Sequence, residues 1–276
     1  MIRCNCYSRP HGRAAAFGFR KQSSSKKFAM ATVLDPILQI AARSAIARHR
    51  WADRGAAPIG YIKGMALVYA RVLGKLAAGD AAAIEMAKAD TGDGSRDALA
   101  WYAQRFAALG MRNDASGRET LRHLFVLLLG LGMRESSGKH CEGRDRSASN
   151  TTAETAEAGL FQTSFNARSA SPLMLTLFAQ YSAKPSGFVE VFREGVRCSA
   201  ASLENFGSGP GKEFQRLSKE CPAFAAEFCA VGLRNIRKHW GPITRREAEL
   251  IPHADAMLVE VQEVLEASPA LQAAVA

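Results

Sequence analysis

Apolar positions recur at three- and four-residue steps along most of the chain, and that spacing predicts helices. Ile62, Met65, Ala66, Tyr69, Val72, Leu73 and Leu76 form one amphipathic stripe, entered by Pro58. Val33, Ile37, Ile40, Ala41 and Ser44 repeat it more weakly, with Pro36 near the start. Leu99, Tyr102, Phe106 and Leu109 make a third stripe closed by Gly110, and Met257, Leu258, Val261, Val264 and Leu265 make a C-terminal one opening near Pro252. No segment alternates convincingly over five or more residues, so a major sheet is not expected. The predicted fold class is mainly α.

One stretch departs from amphipathic spacing. TLRHLFVLLLGLGMR at 120–134 is apolar on nearly every face after His123, which requires a helix buried all round. Its apolar run at 124–133 is about half the roughly 20 residues a bilayer crossing needs, so no membrane span is expected. Glu135 follows immediately, and Ser136, Ser137 and Gly138 stop the helix. Burial disfavours an ionised carboxylate, and so does the partial negative charge of a helix C-terminus. Both raise its pKa toward what a general acid needs near neutrality. Arg134 offsets part of this, depending on which way it points. From spacing alone, a helix-end glutamate facing solvent fits the residues equally well.

Two polar regions interrupt the pattern. Residues 136–158 (SSGKHCEGRDRSASNTTAETAEA) are too long for an ordinary connection, and loops of that length in compact domains tend to carry function. ENFGSGPGK at 204–212 reads as a tight excursion between helices, structural or groove-lining, without the lysine and hydroxyl placement of a phosphate loop.

Charge changes the picture less than its total promises. The net charge is +10, but Arg3, Arg9, Arg13, Arg20, Lys21, Lys26 and Lys27 precede the first acid, leaving +3 for the rest of the chain. The body gives little reason to expect nucleic acid as a partner. Residues 1–30 have no apolar periodicity, and their only apolar patch, at 14–19, contains a glycine and is too short for a secretory h-region. They read as a basic, disordered tail or the product of an upstream start with Met30 the true initiator. Four cysteines lie in the body (Cys141, Cys198, Cys221, Cys229), which allows three pairings. Pro222 suits the first position of a helix running through Phe224, Phe228 and Val231, which would hold Cys221 and Cys229 roughly 12 Å apart, too far for a bridge. His140 and Cys141 lack a second paired motif, so no metal and no cofactor is expected.

RESSGK at 134–139, followed by a polar loop and AGLFQTSFN at 158–166, resembles the lysozyme-like glycan-cleaving superfamily, most closely the soluble lytic transglycosylases and goose-type lysozymes. Glu135-Ser136 matches the E-S motif that ends a buried helix there, and Gly159-Leu160-Phe161-Gln162 matches the G-L-M-Q motif with Phe for Met. The resemblance implies that Glu135 is the catalytic acid and that Ser136, Gly159, Leu160, Phe161 and Gln162 line a sugar-binding groove. A third family motif, A-Y-N-A-G, has its nearest counterpart in LRNIRKHWGP at 233–242, with Asn235 in the Asn position and Arg234 where the Tyr would stand. An ordinary polar place on a helix fits Asn235 as well. Trp240, before Gly-Pro, fits sugar stacking or a cap against the core. The likeness covers residues 124–166 and is faint up to 242.

The segment between the two matching motifs is longer and more acidic than usual in these families, with Glu142, Asp145, Glu154 and Glu157. An inverting hydrolase needs a second carboxylate about 6.5–9.5 Å from the acid, a retaining one about 5–5.5 Å. Lytic transglycosylases, as the resemblance implies, manage with one Glu and the substrate's own hydroxyl. Asp145 and Glu157 are the candidates for a second catalytic carboxylate, Glu157 because it adjoins the GLFQ segment. The expected organisation is a tail over 1–30, an additional N-terminal helical region over 31–115, a lysozyme-like catalytic domain over 116–268 and a C-terminal tail over 269–276. The expected activity is cleavage of a β-1,4-linked amino-sugar glycan, peptidoglycan first, by a transglycosylase or a muramidase- or chitinase-type hydrolase. That substrate implies periplasmic or extracellular action, although no secretory signal is readable. The alternative is a non-catalytic helical protein that keeps the frame for glycan binding or structure.

Overall fold

A computed structural model describes residues 22–146 and 151–276. Helix α1 (Gln22–Arg43) begins well ahead of its apolar stripe and carries Pro36 in its interior. The expected tail over 1–30 is therefore helical from Gln22 on, and its earlier part lies outside the described residues. Ile37, Ile40 and Ala41 bury one face of α1, while Val33 is exposed. A two-stranded antiparallel hairpin follows, β1 (Arg50–Trp51) and β2 (Gly55–Ala56), with Asp53 at its tip in the left-handed region (φ 58°).

Helix α2 (Ile59–Ala77) opens after Pro58, as its stripe predicts, and is buried from Gly60 to Leu73 except at Lys63. It is the axle of the fold, packing against α1 and later elements alike. Short helices α3 (Ala81–Ala87), α4 (Ala98–Trp101) and α5 (Ala103–Ala108) come next. The third stripe was expected as one helix. It is broken at Tyr102 (φ −95°, ψ 3°), so Tyr102 and Phe106 are buried while Leu109 swings out to solvent.

Helix α6 (Arg118–Ser136) is buried from Leu124 to Met133. Two close approaches hold it. A Cβ at Gly132 would collide with the Tyr61 hydroxyl of α2, and one at Gly130 with the backbone carbonyl of Glu249. Through the first gap the Tyr61 hydroxyl donates to the Leu129 carbonyl at 2.9 Å. The remaining helices are α7 (Pro172–Ala183), α8 (Val189–Phe192), α9 (Ala200–Leu203), α10 (Gly209–Glu220), α11 (Pro222–Asn235), α12 (Gly241–Thr244), α13 (Pro252–Glu266) and α14 (Pro269–Val275). Residues 209–212, expected in a loop, form the first turn of α10 instead, with Pro210 inside that turn. Pro222 opens α11 as expected, and Cys221 and Cys229 are both free and buried.

Among the described residues the fold is mainly helical, its only sheet that short hairpin. One hydrophobic cluster runs from Leu34 to Val275, with α2, α6, α11 and α13 at its centre, so the expected boundary at 115/116 crosses a shared core. The expected tail at 269–276 is docked: Leu271 and Val275 are buried, and Arg71 Nε donates to the Val275 carbonyl at 2.9 Å. No described helix is long and apolar enough to cross a membrane.

Candidate active site

Glu135 sits in the last turn of α6, whose end is closed by two residues with left-handed backbone, Ser137 (φ 54°) and Gly138 (φ 75°). The Ser137 and Gly138 amides and the Ser136 hydroxyl all converge on this end of the helix, the hydroxyl donating to the Gly132 carbonyl at 3.0 Å. Ser136 is thus buried and committed to its own helix, rather than lining a groove as the resemblance implies.

Arg134 pairs with carboxylates other than its neighbour's. Its guanidinium lies 3.7 Å from Asp53 and 3.6 Å from Glu247, while its carbonyl accepts from Arg54 Nη2 at 2.7 Å. The charges that act on Glu135 come from three separate segments: Glu157 in the acidic loop, Arg54 in the hairpin turn, and Arg245 and Glu247 after α12. Burial pushes the Glu135 carboxyl up most, the negative charge of Glu157 pushes it further, and Arg245 and Arg54 pull it back, leaving it at about 8. Among the described residues Glu135 is half-buried and accepts no hydrogen bond. Such a carboxyl stays protonated at neutrality with its proton unclaimed.

The acidic loop sorts its own residues. Glu154 pairs with Arg168 at 2.6 Å and Glu142 with Lys139 at 3.6 Å, so both are accounted for by local cations. Glu157 has no hydrogen bond or ion pair among the described residues. Burial and the charge of Asp145 raise its pKa as well. Glu135, Glu157 and Asp145 therefore form a chain of electrostatically coupled carboxylates. The loop's first half is tethered by a Cys141–Cys198 disulfide, by Arg144 stacked 4.0 Å from the Phe206 ring, and by an Arg146–Glu204 ion pair at 2.6 Å.

The GLFQ segment forms a tight turn. Ala158 and Thr163 pair across it, Gly159 takes φ 75° with no room for a Cβ against Ser218, and Gln162 takes φ 42°. Leu160 and Phe161 are buried in the core, the Phe161 carbonyl accepts from Trp240 Nε1 at 3.0 Å, and Gln162 Nε2 folds back onto the Gly159 carbonyl at 3.1 Å. The expected groove lining thus reduces to the half-buried Gln162 and backbone, with the other side chains serving the core. Trp240 is buried here, so of its two sequence readings it takes the cap against the core. Asn235 does not join this cluster. Its amide donates to Glu85 at 3.2 Å and to the Val231 carbonyl at 2.9 Å, and it lines a cavity of about 450 Å³ with Ser95, Arg96, Ser169 and Lys238.

No family model, curated protein or solved structure matches this chain. Sequence reasoning missed Arg54, Arg245 and Glu247. No local pattern marks them, because each reaches the carboxyl only through the tertiary fold.

Proposed function

We infer that the protein cleaves a β-1,4-linked amino-sugar glycan, peptidoglycan in the first instance, with Glu135 as general acid in a lysozyme-like arrangement. The observation that carries this reading is the Glu135 carboxyl itself: raised to about 8, without a hydrogen bond among the described residues, and under the charge of a second carboxylate, Glu157. In the reaction Glu135 gives its proton to the glycosidic oxygen as the bond to C1 breaks. An incoming nucleophile then attacks C1 and gives up its proton to a carboxylate. Where that nucleophile is water, Glu157 is the group to activate it, with Asp145 behind. Where it is the substrate's own hydroxyl, the Glu135 carboxylate alone takes that proton back and an anhydro-sugar forms.

Digestion of purified walls followed by mass spectrometry tests this. Anhydro-muramic products mean transglycosylase, new reducing ends mean hydrolase, and intact walls beside digested chitin redirect the substrate. The alternative reading is glycan binding without turnover by the same helical frame. It predicts retention on insoluble walls with no soluble product, unchanged in Glu135→Gln.

A further inference from the structure

The sequence sets His140 and Cys141 aside as a metal site because no second pair of ligands stands near them. The fold supplies the missing partner from 57 residues away, in Cys198. Cys141 and Cys198 form the disulfide, with Cα atoms 5.9 Å apart, and His140 Nε2 lies 3.7 Å from Cys198 Sγ. The three ligand atoms lie within 4.8 Å of one another, which no other such group among the described residues achieves.

The imidazole is held from behind. Its Nδ1 is 2.9 Å from the Lys219 carbonyl, so Nδ1 carries the proton and Nε2 turns its lone pair toward the sulfurs. Backbone carbonyl, imidazole and free lone pair in line is how metal-binding histidines are oriented. Two ligands on one tetrahedral zinc, with Zn–S of about 2.3 Å and Zn–N of about 2.0–2.1 Å, sit about 3.6 Å apart. The observed 3.7 Å between Nε2 and Sγ is already that spacing. His140 and Cys141 are buried and Cys198 is partly exposed, which leaves one open side for a cation and its fourth ligand. While the sulfurs are bonded to each other they offer no thiolate, and the group is closed to metal.

We propose that His140, Cys141 and Cys198 form a redox-gated site for a thiophilic divalent cation of the Zn2+ type: a disulfide in oxidising surroundings, a Cys2His metal clip in reducing ones. A dithiol reductant breaks the S–S bond, supplying two electrons and two protons and leaving as its own disulfide. The two thiols release their protons to solvent as the cation binds, and water takes the fourth position. Either form ties residues 139–143 to the chain around Cys198. The Glu142 carbonyl of that segment accepts from the Gly159 amide at 2.9 Å, so the clip supports the GLFQ turn in both states.

The test uses the full chain with Cys4→Ser and Cys6→Ser, reduced with a phosphine and titrated anaerobically with Co2+ and then Zn2+. The expected result is one Co2+ per reduced chain with a thiolate-to-cobalt charge-transfer band, bleached by Zn2+, and no band for the oxidised chain. Cys198→Ser abolishes the band, which also excludes Cys221 and Cys229 as its source. His140→Ala, whose oxidised form keeps its disulfide and circular dichroism, weakens binding by more than about tenfold, since losing even a ligand's outer partner costs about 10- to 100-fold. A reduced chain that keeps its helical signal but shows no band overturns the proposal, as does His140→Ala binding as tightly as its parent. If reduction melts helix, Zn2+ restores it under the proposal, and failure to restore it counts against it.

Discussion

Glu227 of α11 and Glu135 of α6 sit on long buried helices and have opposite surroundings. Glu227 of α11 is fully buried, yet both its oxygens are taken: Lys75 Nζ binds one at 2.6 Å and the Tyr181 hydroxyl donates to the other at 2.6 Å. Glu135 of α6 is less buried, accepts no hydrogen bond among the described residues, and has another carboxylate as its strongest charged neighbour. Depth alone therefore does not make an acid. A buried carboxylate whose partners are in place is a strut, whereas one that is desolvated and left without partners holds a proton it can give away.

The sharpest way to break this contrast is to neutralise each in turn. Glu135→Gln is expected to lower glycan turnover by about 10²–10⁴-fold with the helical circular dichroism unchanged, while Glu227→Gln leaves turnover on wall substrate largely intact. Equal losses would erase the distinction. In urea unfolding the order reverses. Glu227→Gln removes the counter-charge of Lys75 and is expected to cost about 2–3 kcal/mol, below the about 3–5 kcal/mol of pairs buried on both sides, because Lys75 keeps some contact with water.

Stability against pH separates the two further. A carboxyl whose folded pKa is raised binds its proton more tightly folded than unfolded. Ionising Glu135 therefore costs stability progressively as pH rises from the ordinary carboxylate range to about 8, and the cost is constant above that. Glu135→Gln escapes this cost, so it should become more stable than the parent across that window, by on the order of 1–2 kcal/mol after allowance for its partial exposure. A pH-independent difference would mean that Glu135 is paired after all. The finest probe is Glu157→Gln. Removing a like charge lowers the Glu135 pKa, so the alkaline limb of kcat/KM, which marks loss of the acid's proton, should move to lower pH. A limb that stays in place would uncouple the two carboxylates.

Where a feature rests on local pattern, the sequence already displays it. Pro58 and the stripe from Ile62 to Leu73 specify α2, and the unbroken apolar stretch after His123 specifies the burial of α6 and the place of Glu135 at its end. Cys221 and Cys229 stay apart because a proline-initiated helix separates them, which spacing alone predicts. What escaped reading depends on contacts between distant segments. The Cys141–Cys198 bridge is one of three pairings until the fold brings its halves together. The ring of charge about Glu135 draws on the hairpin turn, the acidic loop and the chain after α12, which no periodicity connects. Helix α14 is short and small-sided, and only the docking of Leu271 and Val275 distinguishes it from a tail. The direction of Arg134, left open by the sequence, is decided by Asp53 and Glu247.

The two glycines of α6 have a mechanical consequence. With Tyr61 wedged at Gly132 and the Glu249 backbone at Gly130, the rod that carries the acid can neither spin about its axis nor slide along it. The compass bearing of position 135 is set three residues upstream, and under the proposed role the distance its proton travels follows from side-chain length. An aspartate there would keep the aim and lose the reach by about one carbon–carbon bond, roughly 1.5 Å, with no hinge available to make up the shortfall.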